Sequence, residues 1–191
     1  MLICYSEAML HYLGLVIILC TWAAGLYMLW VTHDASLQTI SKHAVTSIKM
    51  SLLFGFTLIL IGALCYWWVR FWLQPHLDLP PIFTTLLNIT IALEIGIGLF
   101  PDRSGWVRQV HSFAAYGMAV LLIPLALIIT LSSRLHTVVQ ITCALLLLYM
   151  LASFTIIVLM RRVRSRYLFF QVMYLVAFDL IILCAGYLPT K

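Results

Sequence analysis

Six apolar runs, each long enough to cross a bilayer, decide what this chain can fold into. A helix that crosses the hydrocarbon core needs about 20 apolar residues. The runs cover residues 9–32, 46–73, 82–100, 108–132, 137–160 and 168–188. Backbone N–H and C=O groups find no water in lipid, so each run must satisfy its own hydrogen bonds as a helix. The period-two alternation of a membrane β-barrel strand is absent. The connectors are short and leave nothing to build a soluble domain. The expected fold is all-α: a polytopic membrane protein in which residues 1–191 form one bundle of six transmembrane helices.

Composition supports the same solvent. Only 9% of the residues are charged and 64% are hydrophobic, whereas a soluble domain carries about 25% charged residues. The net charge of +5 comes from 11 Lys and Arg against 6 Asp and Glu. These cations sit between apolar runs, so they are read as topology-setting charges, and nucleic acid is not expected as a partner. Five scattered cysteines show no metal-knuckle or disulfide spacing and read as small hydrophobes. The start lacks the basic segment of a signal peptide, and Glu7 precedes the first run, so that run is expected to stay in the membrane.

Sidedness follows from Lys and Arg. The first, third and fifth connectors, with their helix ends, hold Lys42, Lys49, Arg103, Arg108, Arg161, Arg162, Arg164 and Arg166. The other side holds Arg70, Arg134 and Lys191. This bias puts the odd connectors in the cytoplasm and both termini outside, in what is expected to be a bacterial inner membrane. The run Arg161, Arg162, Arg164 and Arg166 reads first as a stop-transfer anchor, with which a patch for anionic lipid headgroups is compatible. Trp67, Trp68 and Trp72 in "YWWVRFW" suit the headgroup layer, with Arg70 snorkelling there. Pro75, Pro80 and Pro81 are expected to stop the second helix and start the third. Pro124 is expected to kink the fourth.

Two carboxylates lie inside apolar runs, Glu94 and Asp179. Ionisable groups there are costly and mark functional sites by default: each must be protonated, paired or turned to a wet cavity. Glu94 precedes Phe100 by six residues, about 9 Å along a helix. His111 opens the next, antiparallel helix at a similar depth, so a Glu94–His111 contact is expected. It reads as a structural pair that fixes register, or as a proton relay or half of a metal site. Between them, Pro101 ends one helix and Gly105 allows a tight turn. Arg103 and Arg108 hold that turn at the interface, and Asp102 caps the next helix or pairs with one of these arginines. His43 and His111, both near the odd connectors, would permit bis-histidine haem ligation. No P-loop, dinucleotide fingerprint, nucleophile elbow or intramembrane lysine is present. No cofactor is predicted from the residues, and haem or a metal remains the alternative.

The stretch "GIGLFPDRSGWVRQVHSFAAYGMA" (96–119) is similar to the signature of a bacterial six-helix family of unknown function, distantly grouped with the DRAM-like membrane proteins of eukaryotes. Gly98, Phe100, Pro101, Asp102, His111 and Ala115 carry the resemblance. It implies the six-helix layout and no established activity. By analogy with the eukaryotic relatives, it implies a link to membrane lipid.

Three functional readings follow. The leading one is a non-enzymatic membrane protein that binds or handles a lipid-like molecule in an intramembrane cavity, with Glu94, His111 and Asp179 as its few polar contacts. The second is a small proton- or ion-coupled transporter using Glu94 and Asp179, each in the last helix of a three-helix half. The third is a haem- or metal-dependent membrane protein using His111. Membrane lipids are the expected partners, with a homo-oligomer or larger membrane complex open.

Overall fold

The computed structural model describes residues 2–32, 39–159 and 167–190, with side-chain surroundings from Met9 onward. The long helices are α1 (Leu2–Thr32), α3 (Ile48–Trp68), α5 (Pro81–Leu99), α6 (Gly105–Thr130), α7 (Thr137–Leu159) and α8 (Tyr167–Tyr187). Two short helices complete the set, α2 (Ile40–Ala44) in the first connector and α4 (Gln74–Leu77) at the end of the second span. Six spans are long and apolar enough to cross a membrane. No strand forms among the described residues. In the most apolar window of each span, at most 33% of residues are buried inside protein. The rest of this greasy surface has no polar cover, which fits lipid as the surrounding solvent. Arg161, Arg162, Arg164, Arg166 and His33 lie outside the described residues.

The second span runs further than the sequence suggests. After Trp68 the helix widens into one π turn, Val69–Leu73, and continues as α4 to Leu77. Pro75 therefore lies inside the helical run rather than ending it. The widened turn absorbs a ring and a missing N–H that would break a regular α-helix. The run stops at Asp78, in the left-handed conformation (φ 53°). Pro81 then opens α5 at its first position, where its missing N–H costs nothing. Buried Gln74 ties this corner: its amide donates to the Leu79 carbonyl, and its oxygen accepts from Thr84 at 2.9 Å and from Arg70 at 3.3 Å. Ser132 donates to the Leu77 carbonyl at 2.7 Å, joining the two even connectors.

Helix packing depends on bare backbone. A Cβ at Gly55 would stand 2.5 Å from the Gly98 carbonyl oxygen, and one at Gly98 would stand 3.0 Å from the Gly55 oxygen. α3 and α5 thus cross in direct backbone contact, as small residues permit in membranes. Trp68 lies flat on Gly14 of α1, where a Cβ would overlap its indole. Beside it, the Tyr187 hydroxyl takes the Leu15 N–H (2.9 Å) and donates to the His11 carbonyl (2.5 Å). Those two backbone groups lie one turn apart in α1, so a single hydroxyl of α8 ties the two helices together there.

The aromatic-belt reading of "YWWVRFW" needs correction. Trp67 faces outward, but Trp68 is only 1% exposed and belongs to the core. It stacks on Trp72 with ring centroids 5.5 Å apart. Four residues along a helix return to roughly the same face, so Trp68, Trp72 and His76 stack as one column that runs from the core at Trp68 to the exposed His76, and Trp67 does not join it. The cysteines divide similarly: Cys143 is buried, whereas Cys20 is exposed on the outer surface of α1.

Candidate functional site

A cavity of about 770 Å³ lies between the spans. Its walls are mostly aliphatic and aromatic, from Ile17 and Met28 of α1 to Leu122 of α6 and Phe178 of α8. Glu94, His111 and Asp179 all line it. So does Cys65 of α3, near enough to both carboxylates for their charges to act on it. Asp179 also lies near enough to Glu94 for its charge to bear on it. α5 and α8 therefore bring the two intramembrane acids of the sequence to the wall of one cavity.

Each acid is held differently. Asp179 Oδ2 accepts a hydrogen bond from the Trp22 indole N–H of α1 at 3.0 Å. Glu94 has no hydrogen bond or ion pair among the described residues. Its carboxylate rests on Gly62 of α3, where a Cβ would come within 2.9 Å of Oε2. Gly62 follows Gly55 by two helical turns on the same face, so the seam that lets α3 and α5 touch also makes room for Glu94.

The expected Glu94–His111 contact does not form. His111 is 4% exposed, and its Nδ1 lies 2.8 Å from the carbonyl oxygen of Phe100. Phe100 caps the end of α5, where carbonyls lose their helical partners, and the imidazole satisfies one of them. This bond requires a proton on Nδ1. His111 therefore clips the α5–α6 turn together, and Glu94 turns toward α3 instead.

The rest of the turn follows the charges. Asp102 is 9% exposed and pairs with Arg108, Nε to Oδ1 at 3.5 Å. It does not cap α6: Ser104 occupies that position, without a side-chain capping bond. Arg103 is exposed, and its N–H donates to the Pro101 carbonyl at 2.7 Å. Gly105 begins α6 at φ 63°, a left-handed conformation that glycine adopts at no steric cost. Asp102 and Arg108 line the cavity on the odd-connector side, as does Lys42 of α2.

His43 does not join the site. It is 3% exposed, and it is not part of the cavity wall. Its Nδ1 lies 2.5 Å from Thr32 Oγ1. His43 and His111 thus share no space in which one haem could take both. Among the described residues, no three His, Cys, Asp or Glu converge as a metal-binding group. Sequence reasoning gave Trp22, Cys65 and Gly62 no role at a site: Cys65 reads as a small hydrophobe and Gly62 as a packing residue. Each lies in an all-apolar run, where only the three-dimensional packing marks it.

No protein-family model, curated protein or solved structure matches this chain.

Proposed function

We propose that this protein takes up a lipid-like, hydrophobic molecule in the cavity between its spans, as a non-enzymatic membrane protein. The observation that carries this reading is the cavity. Its volume of about 770 Å³ lies in the range of small-molecule sites, roughly 300–1,000 Å³. Like them, it has an apolar lining with a few polar groups that can orient a ligand. An apolar space of this size inside a close-packed bundle forgoes many dispersion contacts, and an apolar guest restores them.

Gly25 offers the cleanest test. It lines the cavity, and a Cβ there meets nothing within 4 Å. Gly25→Trp is expected to take up part of the space and to lower bound lipid, read by mass spectrometry of lipids retained by purified, monodisperse protein. Gly25→Ala is expected to retain the lipid and to raise stability by about 0.5–1 kcal/mol through helix propensity. Equal lipid in wild type and Gly25→Trp contradicts the reading.

The odd connectors are proposed to face the cytoplasm of a bacterial inner membrane, on the strength of the Lys and Arg bias. Ser104 and Ser133 are exposed in odd and even connectors, respectively. On intact cells, an impermeant maleimide is expected to label Ser133→Cys and to spare Ser104→Cys. The reverse pattern overturns the orientation.

A further inference from the structure

We infer that the cavity's ligand is a hydrophobic organic cation, whose charged group lies between Glu94 and Asp179 while its apolar part fills the remaining space. The inference rests on the cavity being a hydrophobic-ligand site and names the chemistry of the guest.

Two acids alone would not support this. What points to a ligand is the state of Glu94: largely buried between the spans, lining the cavity, and without a hydrogen bond or ion pair among the described residues. A carboxylate offers about four acceptor sites, and none is used here. Asp179 uses one, for Trp22. Among the described residues, the lysines and arginines that line the cavity are Lys42 and Arg108. Arg108 already pairs with Asp102 at the α5–α6 turn, and Lys42 lies on α2, in the first connector. Neither forms an ion pair with Glu94 or Asp179. His111 is bonded to the Phe100 carbonyl. The Cys65 thiol brings no positive charge.

The ligand's class follows from electrostatics. A buried carboxylate is costly unless it is paired and hydrogen-bonded. A neutral lipid tail pressed against this pair would remove its remaining solvation and supply nothing in exchange. An anionic amphiphile would be repelled by both acids. A lone inorganic cation would leave most of a 770 Å³ apolar space unfilled. A cation attached to a hydrophobic body satisfies the acids and the walls together.

Binding of radiolabelled tetraphenylphosphonium to the full chain in maltoside micelles, with empty micelles subtracted, tests this. Saturable binding is expected. Glu94→Gln should weaken it by at least about tenfold, since a buried charge partner is lost. Glu94→Gln keeps the side chain's shape and breaks no hydrogen bond, so it carries the test even if Asp179→Asn fails to fold. Decylamine should displace the probe at a concentration about tenfold or more below that needed for decanol. Equal displacement by decylamine and decanol, or unchanged binding in Glu94→Gln, overturns the cationic ligand and leaves the hydrophobic cavity standing. Displacement by sodium chloride at constant ionic strength also overturns it, in favour of an inorganic cation. If neither the probe nor any lipid binds, the cavity reading fails as well.

Discussion

Gly55→Val is expected to destabilise the bundle by about 3 kcal/mol, at the upper end of overpacking costs. The first added carbon alone would stand 2.5 Å from the Gly98 carbonyl oxygen. The obstacle is backbone, which cannot rotate away as a side chain can. α3 and α5 must therefore move apart, and each contact along their seam weakens with distance. Two turns further on lies the Gly62–Glu94 contact, so the same displacement frees the Glu94 carboxylate from its seat. Reversible unfolding in mixed maltoside and dodecyl sulfate micelles measures the loss. A variant as stable as wild type would show that α3 and α5 do not cross in backbone contact.

Trp68→Ala is expected to cost about 3 kcal/mol, the lower end for removing a large buried aromatic. The lower end applies because spans that separate in a membrane expose their side chains to lipid rather than water, so packing and cavity terms dominate. Trp68 is 1% exposed, lies on Gly14 and stacks on Trp72. Its loss removes contacts between α1, α3 and the end of α8. Trp68→Phe should cost distinctly less. The ring surface is largely kept, and the indole N–H, which is buried without an acceptor, disappears. The same unfolding assay distinguishes the two. Equal losses for Ala and Phe would mean that the N–H, rather than the ring, matters at this position.

These two cases show which features the sequence reveals and which it hides. The number and placement of the spans were legible because apolar length is the signal lipid demands. The end of α5 near Pro101 and the glycine turn at Gly105 were legible for a similar reason, since both follow from backbone chemistry. The inward faces were not legible. In a soluble helix polar residues mark the outside, but here both faces are apolar, so no periodicity tells Trp67 from Trp68. The π turn leaves no compositional trace either, and it carried the helix past Pro75. Glu94 and Asp179 stood out because charge is rare in this chain. Their meeting across the cavity, the Trp22 bond and the Gly62 seat depend on how the helices are rotated about their axes. The Glu94–His111 expectation had the right depth for both residues. It failed because the unpaired Phe100 carbonyl was an acceptor that sequence spacing does not display.

The central claim is that Glu94 and Asp179 face an internal cavity and not the acyl chains. Gly25 follows Trp22 by one turn of α1, so a bulky residue there enters the cavity beside Asp179. Treatment with dicyclohexylcarbodiimide, a hydrophobic carboxyl reagent that dissolves in lipid, followed by peptide mass spectrometry, tests the claim directly. The expected result is modification of Glu94 in the wild type, and protection of Glu94 in Gly25→Trp. Equal modification in both proteins would mean that the acid is reached from the bilayer, and would contradict the account.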